Sequence, residues 1–189
     1  MRMPNPLPNP LPPLVQPLLL RAGRRLRRGF TLIELMVTLC VGVVVMSVAM
    51  PSMSDFFANN QVVAAKTAFA GAVALARTEA AKRSGVVILQ ALGDGPAGNE
   101  FINGWEIVAD DDGNGSAGAN ETRLRRAAAT LNKTRLGGAA SLAFRASGAL
   151  VGGAAVVYTV CRLSGSNAGF TITVMPSGVA DVAAITSCS

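Results

Sequence analysis

The sequence predicts an α+β protein: a long N-terminal helix, transmembrane in its first part and amphipathic in its second, packed on a mainly antiparallel β domain. Three observations carry this. An apolar run from Phe30 to Met50 is long enough to cross a bilayer, and residues 52–84 place apolar side chains at helical spacing. From Val86 onward, short β-branched and aromatic runs alternate with Gly-, Asn- and Ser-rich turns. The chain of 189 residues has room for one domain with a real core. Half of it is hydrophobic, only 15% is charged and the mean hydropathy is +0.41, oily enough to keep one segment in a membrane.

Residues 1–29 form the first region. Seven prolines in the first seventeen positions deny it a helix interior or a buried strand. Arg21, Arg24, Arg25, Arg27 and Arg28 follow; with Arg2 they make the whole basic excess, because 11 Lys+Arg face 11 Asp+Glu from Phe30 onward. The formal charge of +6 is therefore an orientation signal rather than a phosphate-binding surface. It holds this end in the cytoplasm and sends the C-terminal domain outside.

Residues 30–51 form the second. As a helix, 30–50 would span about 32 Å, enough for a hydrocarbon core. No small-residue cleavage pattern follows at Pro51-Ser52-Met53-Ser54, so the helix is expected to stay as an anchor. Pro51 is expected to kink or end it. Over 52–84, Val62, Phe69, Val73, Ala76 and Ala80 make one apolar face, Glu79 and Arg83 an i,i+4 pair, and Gly85 a stop signal. In the remaining region, 85–189, the runs VVILQAL, GWEIVAD, TRLRRAA, AAVVYTVCRL and GFTITVM read as strands.

Side-chain chemistry narrows the function. With no histidine, a Ser-His-Asp triad and a His-based zinc site are excluded, and no Gly-rich phosphate cradle follows a strand; an enzyme is not expected. Cys40 lies in the apolar run, where it serves as a small hydrophobe. An oxidising compartment favours a disulfide between Cys161 and Cys188, with two buried free thiols as the alternative. Trp105 in GWEIV is expected to pack in the core or on the sheet.

The residues RRGFTLIEL, 27–35, resemble the front of a type IV prepilin: a basic leader ending in Gly29, then Phe30-Thr31-Leu32-Ile33-Glu34, and the membrane segment closed by Pro51. Behind it, ALARTEAAKRSG (74–85), GWEIVADDDGNG (104–115), LAFRASG (142–148) and GFTITVMPSG (169–178) are similar to the FimT/GspH-type minor pseudopilins. The resemblance implies a pilin-like fold and a structural subunit of a type II secretion pseudopilus or a type IV pilus, near the tip and aiding assembly. It implies a prepilin peptidase cutting between Gly29 and Phe30, N-methylation of Phe30, and residence in the bacterial inner membrane with the β domain in the periplasm. The partners are then that peptidase, the membrane and other pilin or pseudopilin subunits. The sequence departs from the family in a long, proline-rich leader and in Gln90, where relatives often carry a cysteine.

The carboxylate of Glu34 sits inside an apolar run, where burial in hydrocarbon costs about 2.5–3.5 kcal/mol at a helix centre and less near an end. Cleavage would create an α-amine at Phe30, one helical turn away, or present it to a neighbouring subunit's Glu34. An assembly role in setting subunit stagger follows. The alternative is a glutamate that merely favours the helix dipole among lipid headgroups.

Two further motifs have competing readings. Asp110-x-Asp112-x-Asn114-Gly115 with Glu121 fits a calcium-loop pattern; the run before it is a strand rather than an EF-hand helix, so a solvated hairpin loop competes with Ca²⁺. No other cofactor is expected. Arg123, Arg125 and Arg126, with Lys133 and Arg135, form the one basic cluster after the leader. DNA binding in natural transformation is the alternative function, but the Gly-Arg-x-Arg associated with it in relatives reads Gly178-Val179-Ala180-Asp181 here. Nucleic acid is not the expected partner. Arg123 and Arg125, two apart on a strand, read as one solvated face.

Overall fold

The computed structural model describes residues 29–118, 120–128, 133–163 and 168–188. The leader expected over 1–29 lies outside them except for Gly29. Two compact units divide between Val43 and Val44.

The first unit is the opening of α1, Leu32–Arg83. Thr31 starts the helix: its hydroxyl accepts the amide of Glu34 at 3.2 Å and its carbonyl that of Leu35 at 3.1 Å. Threonine followed three residues on by glutamate is an N-terminal capping arrangement, which fixes where the helix begins. The helix is long and apolar enough to cross a membrane, and none of its most apolar stretch is buried within the protein. It also runs through position 51 without a break, so Pro51 does not end it.

In the second unit, the later part of α1 buries Val62, Phe69, Val73, Ala76 and Ala80, the face read from the spacing, together with Ala58, Ala65 and Ala72. The helix stops in a Schellman arrangement: Gly85 N–H reaches the Ala80 carbonyl at 3.3 Å and Ser84 N–H that of Ala81 at 3.4 Å. The left-handed position in this motif falls on Ser84, at φ 52°, one residue before Gly85. Glu79 holds both Lys82 (3.0 Å) and Arg83 (3.4 Å), which lower its carboxyl below the ordinary value.

Eight strands follow among the described residues: β1 Val86–Ala91, β2 Gly104–Asp110, β3 Thr122–Ala128, β4 Thr134–Gly137, β5 Ser141–Phe144, β6 Val156–Arg162, β7 Gly169–Val174 and β8 Ala180–Ile185. They form two four-stranded sheets, β3-β2-β1-β5 and β4-β6-β7-β8, and each pairing is antiparallel. The α+β expectation and the antiparallel pairing hold; β4, β5 and β8 are strands that the residue patterns did not reveal.

Both sheets share one core with α1. Phe69 of the helix lies 5.0 Å from Phe101, 5.8 Å from Trp105 and 4.7 Å from Tyr158, centroid to centroid, in edge or tilted geometry. One helical side chain thus touches β2 of the first sheet and β6 of the second. Such pairs add about 0.5–1.5 kcal/mol each beyond area burial. Burial in this cluster pushes the Tyr158 phenol well above its ordinary range, and its hydroxyl has no hydrogen-bond partner among the described residues.

Candidate functional site: an apolar helix with one acid, and two side sites on the β domain

Phe30, Leu32, Ile33, Leu35, Met36, Val37 and Leu39 are all more than half exposed, and Glu34 stands exposed among them. The site is one turn of helix. Gly29 and Phe30 precede the cap, Thr31 is the cap, and Glu34 is the third residue of the first turn. A carboxylate there meets the positive end of the helix dipole, worth about 0.3–1 kcal/mol at an exposed site. The helix start is thus satisfied by Thr31 whether or not an amine is created at Phe30.

In the second unit, the loop between β2 and β3 brings three carboxylates together. One oxygen each from Asp110, Asp112 and Glu121 lies within 4.8 Å of the others. The loop's own amides occupy much of their capacity: Gly115 N–H donates to Asp110 Oδ2 (3.0 Å), Asn114 N–H to Asp112 Oδ1 (3.0 Å) and Gly118 N–H to Glu121 Oε2 (2.6 Å). Asn114 turns its amide nitrogen to Asp112 Oδ2 at 2.6 Å, and its side-chain oxygen accepts the Ser116 amide at 2.7 Å. Asp110 Oδ1 and Glu121 Oε1 are buried atoms without a hydrogen-bond partner among the described residues. Carboxylate oxygens are hard donors of the kind that Ca²⁺ takes. Beside them the Thr122 hydroxyl, and then its amide at 3.0 Å, bind Asp111 and hold that carboxyl below its ordinary value.

The three arginines of β3 do not converge. A bulge shifts the β2–β3 register between Ile107 and Val108, so Arg126 faces Glu106, Arg125 faces Ile107 and Arg123 faces Val108. Side chains alternate across a sheet, which puts Arg123 and Arg126 on one side and Arg125 on the other. The expectation that Arg123 and Arg125 share a face is corrected by this bulge. Arg123 also has a partner: its Nε lies 3.3 Å from Oε2 of the buried Glu106, whose Oε1 accepts Gln90 Nε2 at 2.9 Å. Arg125 lines a groove against α1 with Trp105 and Leu75.

The sulfurs of Cys161 and Cys188 are bonded, closing the far end of the second sheet. Next to it Arg162, 14% exposed, pairs with Asp55 of α1 at 2.6 Å. This pair and the stacking of Lys66 over Phe170, 4.6 Å from the ring centroid, were not legible from spacing, because both join residues about a hundred positions apart.

The comparisons with known proteins agree with this anatomy. The profile of the type II transport protein GspH matches residues 65–178, and that of the prokaryotic N-terminal methylation motif matches residues 24–50. Nothing matches among the curated proteins. Two crystal structures of the Pseudomonas aeruginosa type IV minor pilin FimU share the fold. One aligns at 20% identity and TM-score 0.53 over 67% of this chain and 98% of that one; the other at 19% and 0.56 over 71% and 99%. The FimU likeness shows a shared fold, and the GspH match spans more than half of the sequence, so the chain belongs to the GspH family of type II transport proteins and is a minor pilin or pseudopilin.

Proposed function

We propose that this subunit is cut between Gly29 and Phe30 by a prepilin peptidase, is N-methylated at Phe30, and is held in the bacterial inner membrane by residues 30–51 with its β domain in the periplasm. It then enters a type II secretion pseudopilus or a type IV pilus near the tip, as a structural component that aids assembly. The observation that carries this is Glu34, the one acid in the exposed apolar segment 30–51, one turn beyond the Gly29-Phe30 junction. A free α-amine has a reference pKa of about 7.7–8.0 and is largely cationic at neutral pH. Pairing with Glu34, in the same chain or the next, is strongly favoured once both are in apolar surroundings, because an unpaired charge there is costly.

Mass spectrometry of the N-terminus of membrane-extracted protein tests the reading. A mature terminus at methylated Phe30 is expected, and an intact leader would overturn it. Glu34→Leu should insert normally yet fail to enter filaments; normal incorporation would remove Glu34 from the account.

The loop of Asp110, Asp112, Asn114 and Glu121 adds a second role, a Ca²⁺ site that stiffens the β2–β3 connection. Its support is the pair of oxygens on Asp110 and Glu121 that have no hydrogen-bond partner among the described residues, beside a third carboxylate.

A further inference from the structure

We infer that the free edge of β8, with the groove between it and α1, is the docking site for an extended segment of a different polypeptide, which adds to the second sheet as a fifth strand and carries at least one carboxylate. The inference goes beyond processing and anchoring, and stands on the four sheet edges. Unpaired edge strands recruit other strands unless something blunts them. β3 bears Arg123, Arg125 and Arg126. β4 and β5 have four residues each, and Phe144 at the end of β5 already bridges Leu150. β8, ADVAAI, has six residues and one charge, and among the described residues it pairs only with β7.

The core-side face of β8 is uncovered as well. Val182 pairs with Ile172 and so projects from the same side of the sheet, yet Ile172 is fully buried and Val182 is 38% exposed. The helix covers β7 and the start of β8, where Ala180 packs against the core, and leaves Val182 and Ala184 exposed. Hollows line this seam at both ends, one walled by Val63, Phe170 and Ala184, the other by Ala74, Arg77 and Val179. An added strand, about 4.8 Å beyond β8, would cover Val182 and Ala184 while satisfying the edge amides and carbonyls.

Charge selects the occupant. Lys66 stands over the Phe170 ring, and Arg77 donates through Nε to the Gly148 carbonyl at 3.3 Å; neither has an ion-pair partner among the described residues. Asp181 pairs with Thr173 and projects from the opposite side. The seam is therefore apolar with two cations, which fits a strand of alternating apolar residues with an Asp or Glu. A symmetric β8–β8 pairing of two copies would set the Lys66 and Arg77 faces of two helices side by side, like charge against like.

The test places a benzophenone amino acid at Val182 in the full-length chain, in cells that make its filament, with a second probe at Leu39 in the apolar helix. Adducts from position 182 should map to an extended apolar segment of another protein with a carboxylate. Lys66→Glu with Arg77→Glu should cut their yield about fivefold or more while the Cys161–Cys188 bond stays intact. Ala184→Lys, a charge set on the edge, should do the same. No adduct at 182, adducts only to a second copy, a segment lacking a carboxylate, or yields unmoved by these changes would overturn the inference. The probe at Leu39 reports on filament contacts separately, so its silence counts against the proposed assembly and not against the β8 edge.

Discussion

Gly178 lies against the backbone carbonyl of Gly148, so closely that a β-carbon on Gly178 would overlap that oxygen. The contact joins two copies of one turn. In 145–148 the amide of Gly148 donates to the Arg145 carbonyl at 2.7 Å and that of Arg145 to Ala149 at 2.8 Å; in 175–178 Gly178 donates to Met175 and Met175 to Val179, both at 2.8 Å. Both end in Ser-Gly, with glycine φ of 78° and 79°. The first turn follows β5 and the second joins β7 to β8, so their packing ties the two sheets at this end, and Leu150 N–H reinforces it by reaching the Pro176 carbonyl at 2.9 Å.

Gly178→Ala should therefore be severe. It adds a left-handed strain of about 1–2 kcal/mol to a backbone clash that no side chain can relieve. We expect a loss above about 2 kcal/mol and a melting temperature lower by at least about 4–8 °C, measured on the detergent-solubilised chain. Gly118→Ala is the control: its β-carbon meets nothing within 4 Å, and the change should stay within about 0.5 kcal/mol.

Gly169 pairs with Cys161 across β6 and β7, and a β-carbon there would stand 2.7 Å from Cys188 Sγ and 3.0 Å from Cys161 Sγ. Gly169→Ala should crowd the disulfide. Alkylation followed by intact-mass analysis should find one labelled thiol, Cys40, in the parent and three in a substantial fraction of the variant.

Glu100 makes the fold sensitive to acid. Burial alone would raise its carboxyl, but the amides of Gly138 (2.9 Å) and Gly98 (2.8 Å), with its own amide, outweigh this and hold it below the ordinary value. A depressed folded-state pKa contributes stability that is present above the unfolded value, about 4.3, and is lost as pH falls through the folded one. Glu100→Gln should melt well below the parent at neutral pH, and the gap should close below about pH 4. A gap unchanged with pH would sink this assignment.

For the β2–β3 loop, calorimetric titration with Ca²⁺ should give one site with a dissociation constant of about 10⁻⁴–10⁻³ M, the range of extracellular modules. Asp112→Asn and Glu121→Gln should each abolish the heat. A flat titration of the parent leaves a solvated loop.

The long helix, its buried face and five of the eight strands were legible, because periodicity and β-branched runs are local signals. β8 escaped notice because it is half alanine, a residue depleted in strands, and only pairing with β7 makes it one. β4 and β5 have only four residues each, and β4 closes on Gly137, a residue depleted in strands. The side sites divide the same way. The spacing of Asp110, Asp112 and Glu121 pointed to their convergence, whereas the bulge that separates Arg123 from Arg125 is a property of the β2–β3 ladder.

Residue order alone settled the apolar helix, the glycine junction before it and the acid one turn in, since each depends on neighbours within a few positions. Tertiary structure decided which cations are paired, which strand edge lies open and which glycines admit no side chain. Those depend on backbones brought together from distant parts of the chain, and contacts of that kind leave no period in a sequence.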